Sequence, residues 1–439
     1  MGMQYALMSA ASGYRVSDTR FALEGAFVEH IRTLKEMLAP RVDRFVVVGG
    51  AMSDERYAKT RDYLLEVDEE KENIRFVSLW EEETGRLGHL LRELRPGMKR
   101  MRQIVQESDL VHSSPHDEVL RPLLLQALVQ GAASGTPTIS VTDMDNRDSA
   151  RMMRQQGRLS LKSYLVTRFI YDPIRHLQQK WVVRNCDLVL YKGEALVEDY
   201  GRGRHNVRGI FDPGFSARHV ISQEGLTQKL DSVRDSSRPI EAVYFGRFVE
   251  YKGVDHIVRA VARANDGGLR VKLTLWGFGP EQERLVTLAE EQLGADAFEL
   301  REPVPYDDDF FVSLRSFDLS LAAPLAVDTP RSTWDSIASG VPVLGYDTEF
   351  YSGMANATGC VDVVPWPSPE AMGDRLREYA DDRERLVALM KGTTSVALDN
   401  TQEEWLGRRV AWTKELLDEK GEQPPSPDAE TATSMSART

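Results

Sequence analysis

The pattern that most limits how this chain can fold is an alternation that occurs twice. Short apolar, β-branched runs are separated by longer stretches of helical period, as in parallel sheets covered by helices. The first series passes through residues 45–48, 76–79, 110–112, 138–141 and 188–190. A helical stretch in the same half spaces Phe27, Ile31, Leu34 and Leu38 into one apolar stripe. After the polar residues 231–239 the series restarts at 242–245 and continues through 271–276, 319–321 and 341–344. A chain of 439 residues is too long for one ordinary core, so the restart predicts two α/β domains. The expected division is a first domain over 1–215, a linker over 216–239 and a second domain over 240–400. An amphipathic helix over 401–420, carrying Trp405, Val410, Trp412, Leu416 and Leu417, returns to the first domain. Residues 421–439 are polar and rich in Pro, Ser and Thr, and read as a disordered tail. Open parallel sheets bind ligands beyond the carboxyl ends of their strands, so both halves are expected to aim loops into a shared cleft.

Charge and cysteine usage remove several classes. A formal charge of −13 argues against non-specific nucleic-acid binding, and no nucleic-acid partner is expected. The two cysteines, Cys186 and Cys360, form no CxxC and have no histidine partners, so neither a disulfide framework nor a zinc site is expected. No apolar run approaches the roughly 18 residues a membrane span needs, and the N-terminus has no signal-peptide pattern. The expected location is the cytoplasm.

Three clusters in the second half carry chemistry. In residues 245–255, Gly246 and Arg247 end a strand, and Lys252 precedes Gly253 at a helix start. An Arg fork, a compact Lys charge and a helix N-terminus suit a departing diphosphate, although a solvated loop with incidental cations has the same letters. In residues 276–281, Gly277 and Gly279 permit a tight turn and Pro280 fits the first turn of the next helix. Gln282 stands where a dinucleotide fingerprint needs its third Gly, which disfavours a nicotinamide dehydrogenase. In residues 328–343, Ser332 or Thr333 is placed to cap a helix, and Asp335 lies in its first turn, where a carboxylate can accept from a ribose diol.

Taken together and in this order, the clusters resemble the retaining glycosyltransferases of family 4. That family shows a Gly-Arg loop followed by Lys-Gly, then Gly-x-Gly-Pro, then Glu-x7-Glu running into Ala-x-x-x-Gly-x-Pro-Val. The resemblance is close over about 240–345, and earlier it rests on residues 109–112 and the order of elements. It implies an α/β protein of the GT-B class, two Rossmann-like domains facing a central cleft. It also implies transfer of a sugar from a nucleotide-diphosphate donor to an acceptor hydroxyl on a sugar, lipid or small molecule, with no metal and no cofactor. By resemblance Arg247 and Lys252 hold the diphosphate, Asp335 matches the glutamate that bonds the ribose, and Gly13, expected in the loop after the first strand, lies against the phosphates. Gly246, Gly277, Gly279, Pro280, Asp328, Ser332 and Thr333 complete the expected donor site, and Arg331 could add a phosphate contact.

The chain also departs from the family. The first glutamate of the pair falls on Val327 with Asp328 beside it, and residues 329–331 replace the glycines that follow. Where the family has a histidine next to the sugar, this chain has Asp143, expected as a catalytic carboxylate facing the cleft. These departures leave two alternatives. One is a GT-B protein that binds a nucleotide or glycan without transferring sugar; the other is a sugar-nucleotide epimerase or pseudo-glycosyltransferase. Asp143 and Asp145 spell a DxD metal pattern, but the cations already present serve the diphosphate. His112 and His116 lie near the expected cleft edge and read as structural. Residues 151–184 carry eight Lys or Arg against a single Asp172, interleaved with Tyr164, Phe169, Tyr171 and Trp181. They read as a solvated helix pair or as a surface for an anionic acceptor or acidic phospholipid, a peripheral membrane contact.

Overall fold

The computed structural model describes residues 2–84, 92–115, 122–144 and 146–422; His116, Asp145 and residues 423–439 lie outside the described residues. The first half forms β1 (Met3–Ser17), β2 (Arg20–Glu24), β3 (Val42–Ala51), β4 (Leu64–Asp68), β5 (Ile74–Glu81), β6 (Leu110–Ser113), β7 (Thr138–Thr142), β8 (Leu188–Lys192) and β9 (Val207–Ile210). Its parallel strands run in the order β5-β3-β1-β6-β7-β8-β9. The second half forms β10 (Ile240–Arg247), β11 (Val271–Phe278), β12 (Phe298–Arg301), β13 (Leu319–Ala322), β14 (Val343–Tyr346) and β15 (Val361–Val364). These make a six-stranded parallel sheet, β12-β11-β10-β13-β14-β15. In each sheet the first strand sits inside, and the order reverses beside it, between β1 and β6 and between β10 and β13. That is the doubly wound order of two Rossmann-like domains, and the reversal opens a crevice at the strand ends. Helices cover both faces, which is why β8, β13 and β14 are apolar and buried almost throughout.

β1 is the unexpected element. It does not end in a loop after the apolar run but shifts register between Met8 and Ser12 and continues, pairing antiparallel with β2, which pairs with β4. Gly13 therefore lies inside a strand. A Cβ there would stand 2.7 Å from the Phe76 ring, so this glycine makes room for an aromatic side chain.

The chain crosses between domains twice. Phe211, just after β9, packs its ring on Trp334 of the second domain at 5.0 Å and on Trp405 at 5.4 Å. The Gln402 amide donates to the Phe215 carbonyl at 2.9 Å, tying the return crossing to the outgoing one. Within 216–239 the chain is not a bare connector. Residues Gln223–Val233 form a helix capped by the Ser222 side chain, and its Leu226 and Val233 are buried. The last helix, Gln402–Glu422, places Trp405, Val410, Leu416 and Leu417 in the first-domain core with Tyr5, Val28, Ile31 and Phe45. Each such side chain contributes roughly 1.5–3 kcal/mol by leaving water.

Candidate active site

The carboxyl ends of β10, β11 and β13 meet at a cavity of about 480 Å³. Two glycines bring these ends together. Gly277, paired with Gly246 across β10 and β11, has φ 155°, and a Cβ on it would stand 1.9 Å from the Gly246 carbonyl oxygen. After β10 a single turn, Glu250–Lys252, leads to Gly253 at φ 62°, where a Cβ would fall 2.0 Å from the Ala323 oxygen. Only glycine permits either approach. The second contact sets Lys252 over the end of β13, just before helix Val254–Ala264 begins.

Arg247, Lys252, Asp328, Arg331 and Asp335 face this cavity, with Gly246, Gly277, Ser332 and Thr333 in its wall. Lys252 Nζ is 2.5 Å from Asp328 Oδ2, and both side chains are mostly buried. Arg247 is exposed and donates from Nη2 to the Tyr251 hydroxyl at 3.1 Å. Arg331 reaches across the domains and donates to Asp212 Oδ2 at 2.7 Å. The Tyr306 hydroxyl donates to Asp335 Oδ1 at 2.7 Å. Burial pushes the Asp335 carboxyl up to about 7, against the opposing pull of Tyr306 and Arg331. Phe278, Val304 and Tyr306 supply an apolar wall.

Several expected residues fall elsewhere. Gly13, Asp143, Gly279 and Pro280 are not among the residues lining this cavity. Gly13 is in β1 because the strand continues past its apolar run. Gly279, at φ 157°, leaves space for the Phe248 oxygen, which a Cβ would meet at 2.3 Å. Pro280 precedes the helix Gln282–Leu293 rather than entering its first turn. Ser332 and Thr333 are the first helical residues, not caps; Arg331 occupies the N-cap and makes no side-chain cap bond. Asp143 is exposed just beyond β7.

Sequence reasoning missed Lys192, which ends β8 with a side chain 11% exposed and 4.0 Å from Asp212 Oδ2. Burial lowers its ammonium from the usual lysine range; the Asp212, Asp143 and Asp328 carboxylates oppose that shift, while Arg331 adds to it. Its position was readable: it terminates a strand in the first sheet as Arg247 does in the second. Lys192 lines another cavity, of about 340 Å³, with Asp148 and Arg151 of the first domain and Thr348, Phe350 and Gly353 of the second. Asp328 belongs to both cavities and forms the wall between them. His30 is pushed down to about 4 by burial and by Arg409, with Asp212 opposing and Arg331 adding. His112 is buried with Nδ1 2.7 Å from the Tyr5 hydroxyl, a structural partnership.

Two Rossmann-like domains of matching strand order, with a charged cavity at the strand ends of the second, define the GT-B architecture of glycosyltransferases. More particularly, residues 228–395 match the family described as Glycosyl transferases group 1. Among solved structures, HepE from Anabaena in complex with UDP aligns with TM-score 0.57 at 14% identity, covering 94% of this chain and 100% of that one. Sucrose-phosphate synthase from Thermosynechococcus elongatus aligns with TM-score 0.57 at 15% identity, over 94% and 99% of the two chains. WaaG, a glycosyltransferase involved in lipopolysaccharide biosynthesis, aligns with TM-score 0.55 at 12% identity, over 92% and 98%. At these identities the likeness is one of fold. No curated protein matches the chain.

Proposed function

We propose that the protein is a retaining glycosyltransferase that moves a hexosyl or similar group from a nucleotide-diphosphate sugar to an acceptor hydroxyl. The observation that carries this is the convergence of Arg247, Lys252 and Arg331 on one cavity beside Asp335. In the reaction, the bond from the anomeric carbon to the diphosphate oxygen breaks and negative charge accumulates on that oxygen. The Arg247 fork and the Lys252 ammonium meet the charge where it develops. The acceptor oxygen bonds the anomeric carbon on the same face, and its proton passes to the departing diphosphate, so no protein nucleophile is needed. These cations take the part a metal would otherwise play. Asp335 accepts from the ribose diol in exchange for the Tyr306 hydroxyl, and Phe278 and Val304 flank the base. The acceptor enters through the interdomain cavity, on the far side of Asp328.

Fold neighbours in complex with UDP and UDP-glucose make UDP-sugars the first donors to try. The test is a thermal-shift screen of UDP-, GDP-, ADP- and TDP-sugars, since a ligand that binds only the native state raises its melting temperature. Product analysis by NMR with a chelator present then follows. A donor that shifts melting and yields a product of retained anomeric configuration supports the proposal; an inverted product, or abolition by the chelator, rejects it. Val327 at the first glutamate position favours a second reading, a scaffold that binds the donor without releasing sugar. That reading predicts a melting shift with no turnover.

A further inference from the structure

We infer that the helical segment Leu161–Asn185 docks the protein on an anionic lipid surface. It comprises the helix Leu161–Val166, a π turn Thr167–Tyr171 and the helix Asp172–Asn185, running without interruption. One side is anchored, because Val182 and Val183 are buried in a first-domain core with Leu128 and Val189. The outer side is not what a solvated helix would show. Phe169 is 71% exposed, Leu177 64%, Leu161 56% and Ile170 51%, and Leu165 is exposed as well. Leu161, Leu165 and Phe169 recur every four residues, and such spacing aligns side chains on one helix face. Leu177, Lys180 and Arg184 have the spacing i, i+3, i+7, so cations and an aliphatic group share a face rather than segregating. Lys162, Arg168, Lys180 and Arg184 are all exposed.

Charge selects the occupant. The stretch 151–184 carries eight cations and one Asp in a chain of formal charge −13, so it is a local reversal of sign. Cations alone would suit nucleic acid or any acidic partner, but exposed Phe, Ile and Leu side chains gain nothing against a phosphate backbone. Aliphatic groups beside Lys and Arg fit a boundary where acyl chains lie directly below phosphates. No described helix is long and apolar enough to cross a membrane, so the contact is peripheral. This inference does not depend on the sugar-transfer proposal.

The test is co-sedimentation of the full chain with vesicles of phosphatidylcholine alone and of phosphatidylcholine mixed with phosphatidylglycerol. The protein is expected to pellet with the anionic vesicles, to stay in solution with the neutral ones, and to be released by salt. Two double variants, Phe169→Asp with Leu177→Asp and Lys162→Glu with Lys180→Glu, should each lower partitioning at least about ten-fold. All four positions are exposed, so melting temperatures should not change; Leu161→Ser provides a milder variant should either pair fail to fold. Equal pelleting with both vesicles, no pelleting, or unchanged binding by the variants overturns the inference. Concentration-dependent dimerisation abolished by Phe169→Asp also overturns it, because the face would then be covered by a second copy.

Discussion

Lys252 Nζ and Asp328 Oδ2 stand 2.5 Å apart, so the ammonium assigned to the donor diphosphate already holds an anion of its own. Phosphate must take the place of a carboxylate. Asp328→Asn removes that competitor, so nucleoside diphosphate affinity should rise by about ten-fold by calorimetry. The unliganded protein should melt lower, because the mostly buried ammonium loses its partner. A variant that binds no better than wild type would show that the pair does not oppose the donor.

Arg247 and Lys252 are assigned to the leaving charge. Alanine at either position should lower turnover by roughly 10²–10³-fold, the usual consequence of losing one charge-stabilising donor. Steady-state rates at saturating donor provide the measurement. Near-wild-type turnover in both variants would reject the assignment.

Burial raises Asp335 from 3.8 to about 7, so the folded protein retains a proton that the unfolded chain has released between those values. The stability associated with this proton is complete below the ordinary carboxylate range and is lost as pH rises through about 7. Denaturant titrations should show wild type losing on the order of a few kcal/mol across that window, with Asp335→Asn flat. Nucleotide affinity should rise only as pH passes through about 7, and in wild type alone, since the folded carboxyl ionises there and then accepts both ribose hydroxyls.

Gly277→Ala would force a methyl against the Gly246 oxygen at a positive φ. It should destabilise the second domain by about 2 kcal/mol or more and abolish nucleotide binding. Calorimetric unfolding checks the first effect, and a melting shift with UDP checks the second.

Gly353 lines the interdomain cavity, and a Cβ added to it would meet no atom within 4 Å. Gly353→Phe should fill that cavity while the nucleotide still binds, and transfer to an acceptor should fall by at least about ten-fold. Loss of nucleotide binding together with transfer would instead show that the two cavities are not separate compartments.

The parts legible in the sequence were those written in local pattern. Runs such as 242–245 and 271–276 became β10 and β11 because short, largely apolar runs buried on both faces have few alternatives. Arg247, Lys252 and Asp335 were singled out because the loops that carry them have a recognisable spacing, and all three face one cavity. Gly13 was misplaced because nothing in residues 9–12 announces that β1 shifts register and continues instead of turning. Asp212 and Tyr306 were missed for a different reason. Each is a lone residue whose partner is distant in sequence, Asp212 meeting Arg331 and Tyr306 meeting Asp335, and no local spacing encodes such a meeting.

A segment translated late, Gln402–Glu422, lays Trp405, Val410, Leu416 and Leu417 against residues translated far earlier. The first half of the polypeptide therefore leaves the ribosome with an open apolar floor, and on the order of ten seconds or more passes before its cover arrives. A ribosome that stalls or a transcript that ends before this helix would yield a first domain with sticky surface, a client for chaperones rather than a smaller enzyme.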